Sequence, residues 1–243
     1  MKTNKLGYAA VLLCGASLNA HATLTTVDNG LGVYSSVSGV TWTSDANLLG
    51  SLETQQGYST VVNAIIAASP VIHDTPNFLD NRGSGIYNVS TNDFGSGGTV
   101  DWWGAQAFVN YLNHIDYGNS NQWALPTSNA VNGYDGTAGN QLGQLFYSEL
   151  GGTAGNNIPV SSFFTNEQTY VYWSGTEDSA YPYHAWYFNT IIGYQPSGNK
   201  DYQGYAWAVS PGQVNAVPVP GAVWLFGTGL LGLLGLKRRG HAG

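Results

Sequence analysis

The chain has 243 residues, 7 Lys and Arg against 14 Asp and Glu, and a net charge of −7. Lys2, Lys5, Lys237, Arg238 and Arg239 sit at the two ends, so the body between them keeps only Arg82 and Lys200 beside every acidic residue, a balance of about −12. Such a body repels phosphate backbones and has no basic patch to release counterions, which excludes nucleic acid. It also disfavours anionic membrane surfaces and strongly anionic polysaccharides unless a cation bridges them.

The N-terminus carries Lys2 and Lys5, an apolar run from Leu6 to Leu18 and then Ala20-His21-Ala22. A basic start, a short apolar core and small residues at −3 and −1 are the parts of a secretory signal. Cleavage is expected between Ala22 and Thr23, because the run is too short for a lasting membrane anchor. Cys14 is the only cysteine and lies inside this leader. Leu13 precedes it where a lipoprotein signal needs a small residue, so lipidation is not expected. The mature body therefore has no disulfide, thiolate metal site or cysteine nucleophile.

Thr23 to about Val100 reads as strands and turns, with Gly39-Val40-Thr41-Trp42 near its start. Within it, Ser59 is placed to cap a helix carrying Val61, Val62, Ile65 and Ile66 on one face. Asn77 to Gly98 has the Gly, Asn and Asp chemistry of loops. Asp101 is a good N-cap for a helix with Ala105, Phe108, Val109 and Leu112 facing inward. Asn140 is placed to cap another, with Leu142, Leu145, Phe146 and Leu150 inward and Gly151-Gly152 ending it. Between these helices Pro126 makes Trp123-Ala124-Leu125-Pro126-Thr127 extended. From Tyr170 onward, His184 to Phe188 and Tyr205 to Val209 alternate ring and small residue, which is strand-like. A body so rich in aromatics is not disordered; the expected fold class is α+β, a compact single domain over residues 23–216 with short strands and two to three helices.

Val217-Pro218-Val219-Pro220-Gly221 precedes an apolar stretch that ends at Leu236, before Lys237-Arg238-Arg239. Residues 219–236 as a helix at roughly 1.5 Å per residue reach about 27 Å, just enough for a bilayer core. The basic cluster stays on the cytoplasmic side and orients the body outward. A Pro-x-Pro motif at Pro218 and Pro220, a short Gly- and Leu-rich span and a terminal basic cluster resemble the PEP-CTERM sorting signal over residues 217–243, with Val219 where that signal has Glu. The resemblance implies processing by exosortase, a membrane transpeptidase-like cysteine protease of Gram-negative bacteria. It also implies a path from transient inner-membrane anchoring to the outer envelope, cell surface or extracellular matrix. A plain single-pass anchor would give the same topology without cleavage.

The body resembles, in order, the Lcl C-terminal domain family of bacterial surface proteins. Gly39 to Asn47 matches its opening Gly-x-x-Trp with Asp-Ala-Asn. Trp103 to Ala107 matches its Trp-x-x-Ala helix, Trp123 to Thr127 its Trp-Arg-Leu-Pro-Thr, Tyr172 to Glu177 its Tyr-Trp-Ser-Ser-Thr-Glu, and Tyr205 to Gly212 its closing segment. Ala124 and Ser210 stand where the family has arginines, so any charge network built by those arginines is absent and polyanion binding does not carry over. What the resemblance implies for the fold is a relation to C-type lectins and formylglycine-generating enzymes.

Chemistry is sparse. Glu149 with Glu177-Asp178 are the carboxylates available for a general acid/base pair, but nothing in the sequence brings them together, and no catalytic residue is assigned. His73, His114 and His184 lack metal-ligand spacing. Asp80-Asn81 and Asn132 to Asn140 leave calcium open, although turns use the same residues and the EF-hand pattern is missing; no other cofactor is indicated. The segment from Tyr170 to Trp207 holds twelve aromatic residues. Trp173, Trp186 and Trp207 are expected in the core. Tyr181, Tyr183, Tyr187, Tyr194 and Tyr202, set among amides and glycines, form the candidate ligand surface, since ring faces stack on sugars and amides bond their hydroxyls. The expected function is a non-catalytic surface module that binds extracellular polysaccharide or another matrix component. A glycan-active enzyme and a self-assembling matrix component are the alternatives.

Overall fold

The computed structural model describes residues 23–80 and 83–214; the leader, Asn81, Arg82 and the tail from residue 215, with the expected sorting motif and membrane span, lie outside them. Among the described residues no helix is long and apolar enough to cross a membrane. The architecture is α+β, with few helices and several small antiparallel sheets.

The first sheet has the order β1 (Leu24–Val27), β2 (Gly32–Ser35), β3 (Val40–Thr43) and β9 (Val209–Pro211), so the first and last strands of the described chain share one sheet. Its registers are antiparallel throughout, with Val33 opposite Trp42 and Trp42 opposite Val209. A second sheet is the hairpin of β4 (Val71–His73) and β5 (Ile86–Asn88). The third joins β6 (Val171–Glu177), β7 (His184–Asn189) and β8 (Ser197–Asn199).

Three regular helices lie between the sheets: α1 (Leu48–Gln56), α2 (Tyr58–Ala68) and α3 (Trp102–His114). In α3 the Asp101 carboxylate accepts from the Gly104 N–H at 2.8 Å, and Ala105, Phe108, Val109 and Leu112 are all buried, as cap chemistry and helical spacing predict. A short fourth helix, α4 (Gln141–Gly143), is capped by Asn140 and runs on as a π-helix over Gln144–Glu149. It buries Leu142, Leu145 and Phe146, while Leu150 is half-buried.

Three local expectations need correction. Ser59 lies inside the first turn of α2; the cap is Gly57, at φ 89°, which joins α2 directly to α1. Helix α1 itself was not expected, yet Asn47 caps it and Leu48, Leu49 and Glu53 are buried along it. The alternating run Tyr205 to Val209 enters a strand only at Val209. Before that it crosses from the third sheet to the first, since Trp173 N–H bonds Tyr205 O and Thr43 N–H bonds Ala208 O. Residues 206–210 are all buried, covered on both faces, and so do not make an amphipathic strand.

Two apolar clusters fill the interior. One surrounds the helices and includes Trp102, Trp103, Trp123, Trp173 and Phe108. The other lies against the first sheet and includes Trp42, Trp207, Phe146, Phe188 and Tyr172. Trp42 meets Trp207 edge to face at 5.2 Å, and Trp207 Nε1 donates to Thr43 O.

Candidate functional site

The most unusual group in the interior is Lys200, which follows β8 and is fully buried. Its Nζ lies 2.6 Å from Asp74 Oδ2 and 2.6 Å from Glu177 Oε2, over the Trp102 ring at 4.6 Å and the Trp103 ring at 5.7 Å. The turn after β4 supplies Asp74 and the end of β6 supplies Glu177, so three separate parts of the chain meet on one amine. The side chain of Asp74 is buried completely, and its Oδ2 also accepts from Trp103 Nε1 and Asn77 Nδ2. Glu177 is a quarter exposed and accepts the Thr75 N–H as well. Burying an ion this deeply is costly unless partners meet it with good geometry, and both carboxylates do.

A cleft of about 340 Å³ opens beside this triad, lined by His73, Trp102, Gln106, Asn110, Gly175 and Glu177 among others. A second of about 360 Å³ follows the outer face of α1. Asn47, Ser51, Thr54, Gln55, Gly97, Asn166 and Gln168 line it, so its side chains are amides and hydroxyls without a charge. Its geometry is fixed from below. Glu53 Oε2 accepts from the N–H groups of Gly97 and Gly98 at 2.8 and 3.0 Å, holding that loop on the helix, and burial raises the Glu53 carboxyl above its ordinary range against those two bonds. Gly98 sits at φ +82°, and a Cβ there would run into the Asn47 amide and the Gly50 backbone. Across the cleft Asn166 Nδ2 donates to Asp45 Oδ2 and Ser51 Oγ, and Gln168 Nε2 donates to Asn166 O. The Gln55 side chain, on the exposed rim, makes no hydrogen bond among the described residues.

The five tyrosines of the candidate ligand surface do not share one face. Tyr181 and Tyr183 belong to the β6–β7 connection and group with His184 and the highly exposed Phe78, with Phe78 and Tyr183 at 4.8 Å. Tyr187 is half-buried against Trp173 at 5.6 Å, and burial, then the nearness of Tyr202 and Tyr170, raises its phenol. Tyr202 is exposed on that side. Tyr194 pairs with Tyr134 at 5.0 Å, elsewhere. Trp173, Trp186 and Trp207 are buried, as expected of core residues.

The other candidates separate too. Burial raises the Glu149 carboxyl above its ordinary range, whereas Glu177 is met by Lys200 and the Thr75 N–H. Asp178 binds Ser197 Oγ and the Ala180 N–H. Glu149, Glu177 and Asp178 thus have different partners among the described residues. Asp80 accepts from the N–H groups of Asn77, Ser84 and Gly85; these outweigh burial and hold it below the ordinary carboxylate range. Asp135, also lowered against burial, is bonded by Asn129, Thr137 and Asn140. Both acids thus spend their oxygens on turns. Among the described residues no group of three or more His, Cys, Asp and Glu is arranged to hold a metal ion.

A second buried acidic cluster was missed in the sequence. Asp93 accepts from Tyr87 Oη at 2.8 Å and from the Ser90 N–H at 2.7 Å, and it lies beside Asp101. Burial, then the charge of Asp93, pushes the Asp101 carboxyl up to about 8; burial raises Asp93 as well. Tyr87 stacks flat on Trp103 at 3.9 Å, so Trp103 touches both buried clusters.

Comparison with protein families, curated proteins and solved structures found no match to the chain.

Proposed function

We propose that the chain is an exported protein, sorted by exosortase to the cell surface or extracellular matrix of a Gram-negative bacterium. Its body is a non-catalytic module that binds polysaccharide or another matrix component. The Lcl C-terminal-like motifs and the PEP-CTERM-like tail support the setting, and the first of these carries with it the relation to lectin-like and formylglycine-generating-enzyme folds. The observation that carries the binding reading is the uncharged cleft on α1. Its amides and hydroxyls converge in a volume within the usual range for small-ligand sites. Such groups satisfy sugar hydroxyls without the charge that would repel or trap an ionic ligand. The exposed rings of Phe78 and Tyr181, with the half-buried Tyr183 between them and His184, offer a second, apolar face for stacking. Hydrolysis of a glycosidic bond calls for two carboxyl groups facing across it, and the separate surroundings of Glu149 and Glu177 favour binding over turnover.

The test is retention of the mature protein on neutral and acidic matrix polysaccharides, with and without calcium. Retention on the neutral polymer that drops at least tenfold in Gln55→Ala is the expected result. No retention on any matrix fraction removes the reading.

A further inference from the structure

We infer that Lys200 and Asp74 become covalently joined, with Glu177 as the proton-transfer group, so that the domain carries an internal amide cross-link. The Lys200 amine is fully buried and touches the Asp74 and Glu177 carboxyls at the same distance, 2.6 Å, under two indole rings. Trp103 Nε1 and Asn77 Nδ2 both donate to Asp74 Oδ2, where negative charge develops when Cγ becomes tetrahedral. Asp74 Oδ1 is buried and has no hydrogen-bond partner among the described residues, which makes it the oxygen free to depart.

The step balances without any further reagent. Glu177 Oε2 takes one proton from the Lys200 ammonium, and the freed lone pair on Nζ attacks Asp74 Cγ. The Nζ–Cγ bond forms and the Cγ–Oδ1 bond breaks. Of the three ammonium protons one stays on the amide nitrogen, and two leave on Oδ1 as water, the first of them through Glu177. Nothing is oxidised or reduced, and Glu177 ends as it began. In water such a condensation has little drive, because both ions are well solvated. In this site the reactants are held in contact and desolvated, and closing the bond removes two buried charges. The cleft lined by Glu177 gives the released water a way out. The body from Thr23 to Val217 has no cysteine, so this is a cross-link that an exported domain of this composition can make where a disulfide is closed to it.

The full chain, expressed in a cell that exports it, would be recovered, denatured and digested with trypsin. Between residues 23 and 217 that protease has two sites, Arg82 and Lys200. The expected result is no cut after Lys200 and a peptide ending at Arg82 that remains joined to the one carrying Lys200, one water lighter than the two apart. Asp74→Asn should give the same link with loss of ammonia instead, and Glu177→Gln, which keeps the shape of the site, should leave the chain unlinked. Clean cleavage after Lys200 with both peptides separate overturns the inference and leaves an ion triad. So does a lost water that maps to a cyclic imide at Asp135-Gly136.

Discussion

Two pairs of acidic side chains meet in the neighbourhood of Trp103, and they are kept from repelling one another in opposite ways. Asp74 and Glu177 share the amine of Lys200. Asp93 and Asp101 meet no cation among the described residues, and burial leaves them to be neutralised by a proton. The same chemical problem is thus solved once with the one lysine of the body and once with solvent acid. A chain with so few cations cannot solve it the first way twice.

The largest effect that separates the two clusters should come from Lys200→Met. It leaves Asp74 and Glu177 facing each other in the interior, and breaking a buried pair from one side costs about 3–5 kcal/mol. Denaturant unfolding should show that loss, whether the wild-type contact is ionic or covalent. The carboxyl pair should show itself through pH. The folded Asp101 carboxyl titrates at about 8 against an ordinary value of 3.8, so the folded state binds the extra proton between these limits. Stability is full below the lower limit and falls as pH rises toward the upper one. Unfolding followed from pH 4 to 8 should decline, and Asp101→Asn, which still caps α3, should flatten the curve. A smaller effect is expected for Tyr87→Phe, which removes the hydroxyl bonded to Asp93 and should cost about 1 kcal/mol in thermal or denaturant unfolding. Smallest of all, Gln55→Ala on the exposed rim of α1 should change stability by less than about 0.5 kcal/mol, so that any change in polysaccharide retention is a change in binding.

The sequence was most readable where one local rule decided the outcome. Asp101 followed by an apolar stripe predicts α3, and Asn140 predicts the start of α4. Where two rules competed it was less so. Leu48, Leu49 and Leu52 are too few beside Gln55 and Gln56 to announce a helix, and Asn47 sits in a segment that also fits a turn. The three-residue strands β4 and β5 are too short to show alternation. The buried triad was out of reach for a different reason. Asp74 and Glu177 are brought to Lys200 by the paths of β4, β6 and β8, and no local pattern encodes that meeting. One signal was available: a lone lysine in an acidic body has every reason to be placed where its charge counts most. The tyrosines were grouped because they are neighbours in sequence. Strand geometry undoes that, since Trp186 goes inward while Tyr187 lies half-covered on the next face and Tyr194 follows a turn to another side.

Burial of Lys200 has a chemical corollary for a protein proposed to reach a sugar-rich surrounding. Reducing ends of carbohydrates and other aldehydes condense with accessible primary amines, and from residue 6 to residue 236 this chain has one lysine, which the fold encloses. The folded body thus shows glycating agents no side-chain amine among its described residues. For the same reason, amine-directed coupling of a chain cut after Ala22 and before the basic tail would run through its N-terminus alone and display every molecule in one orientation.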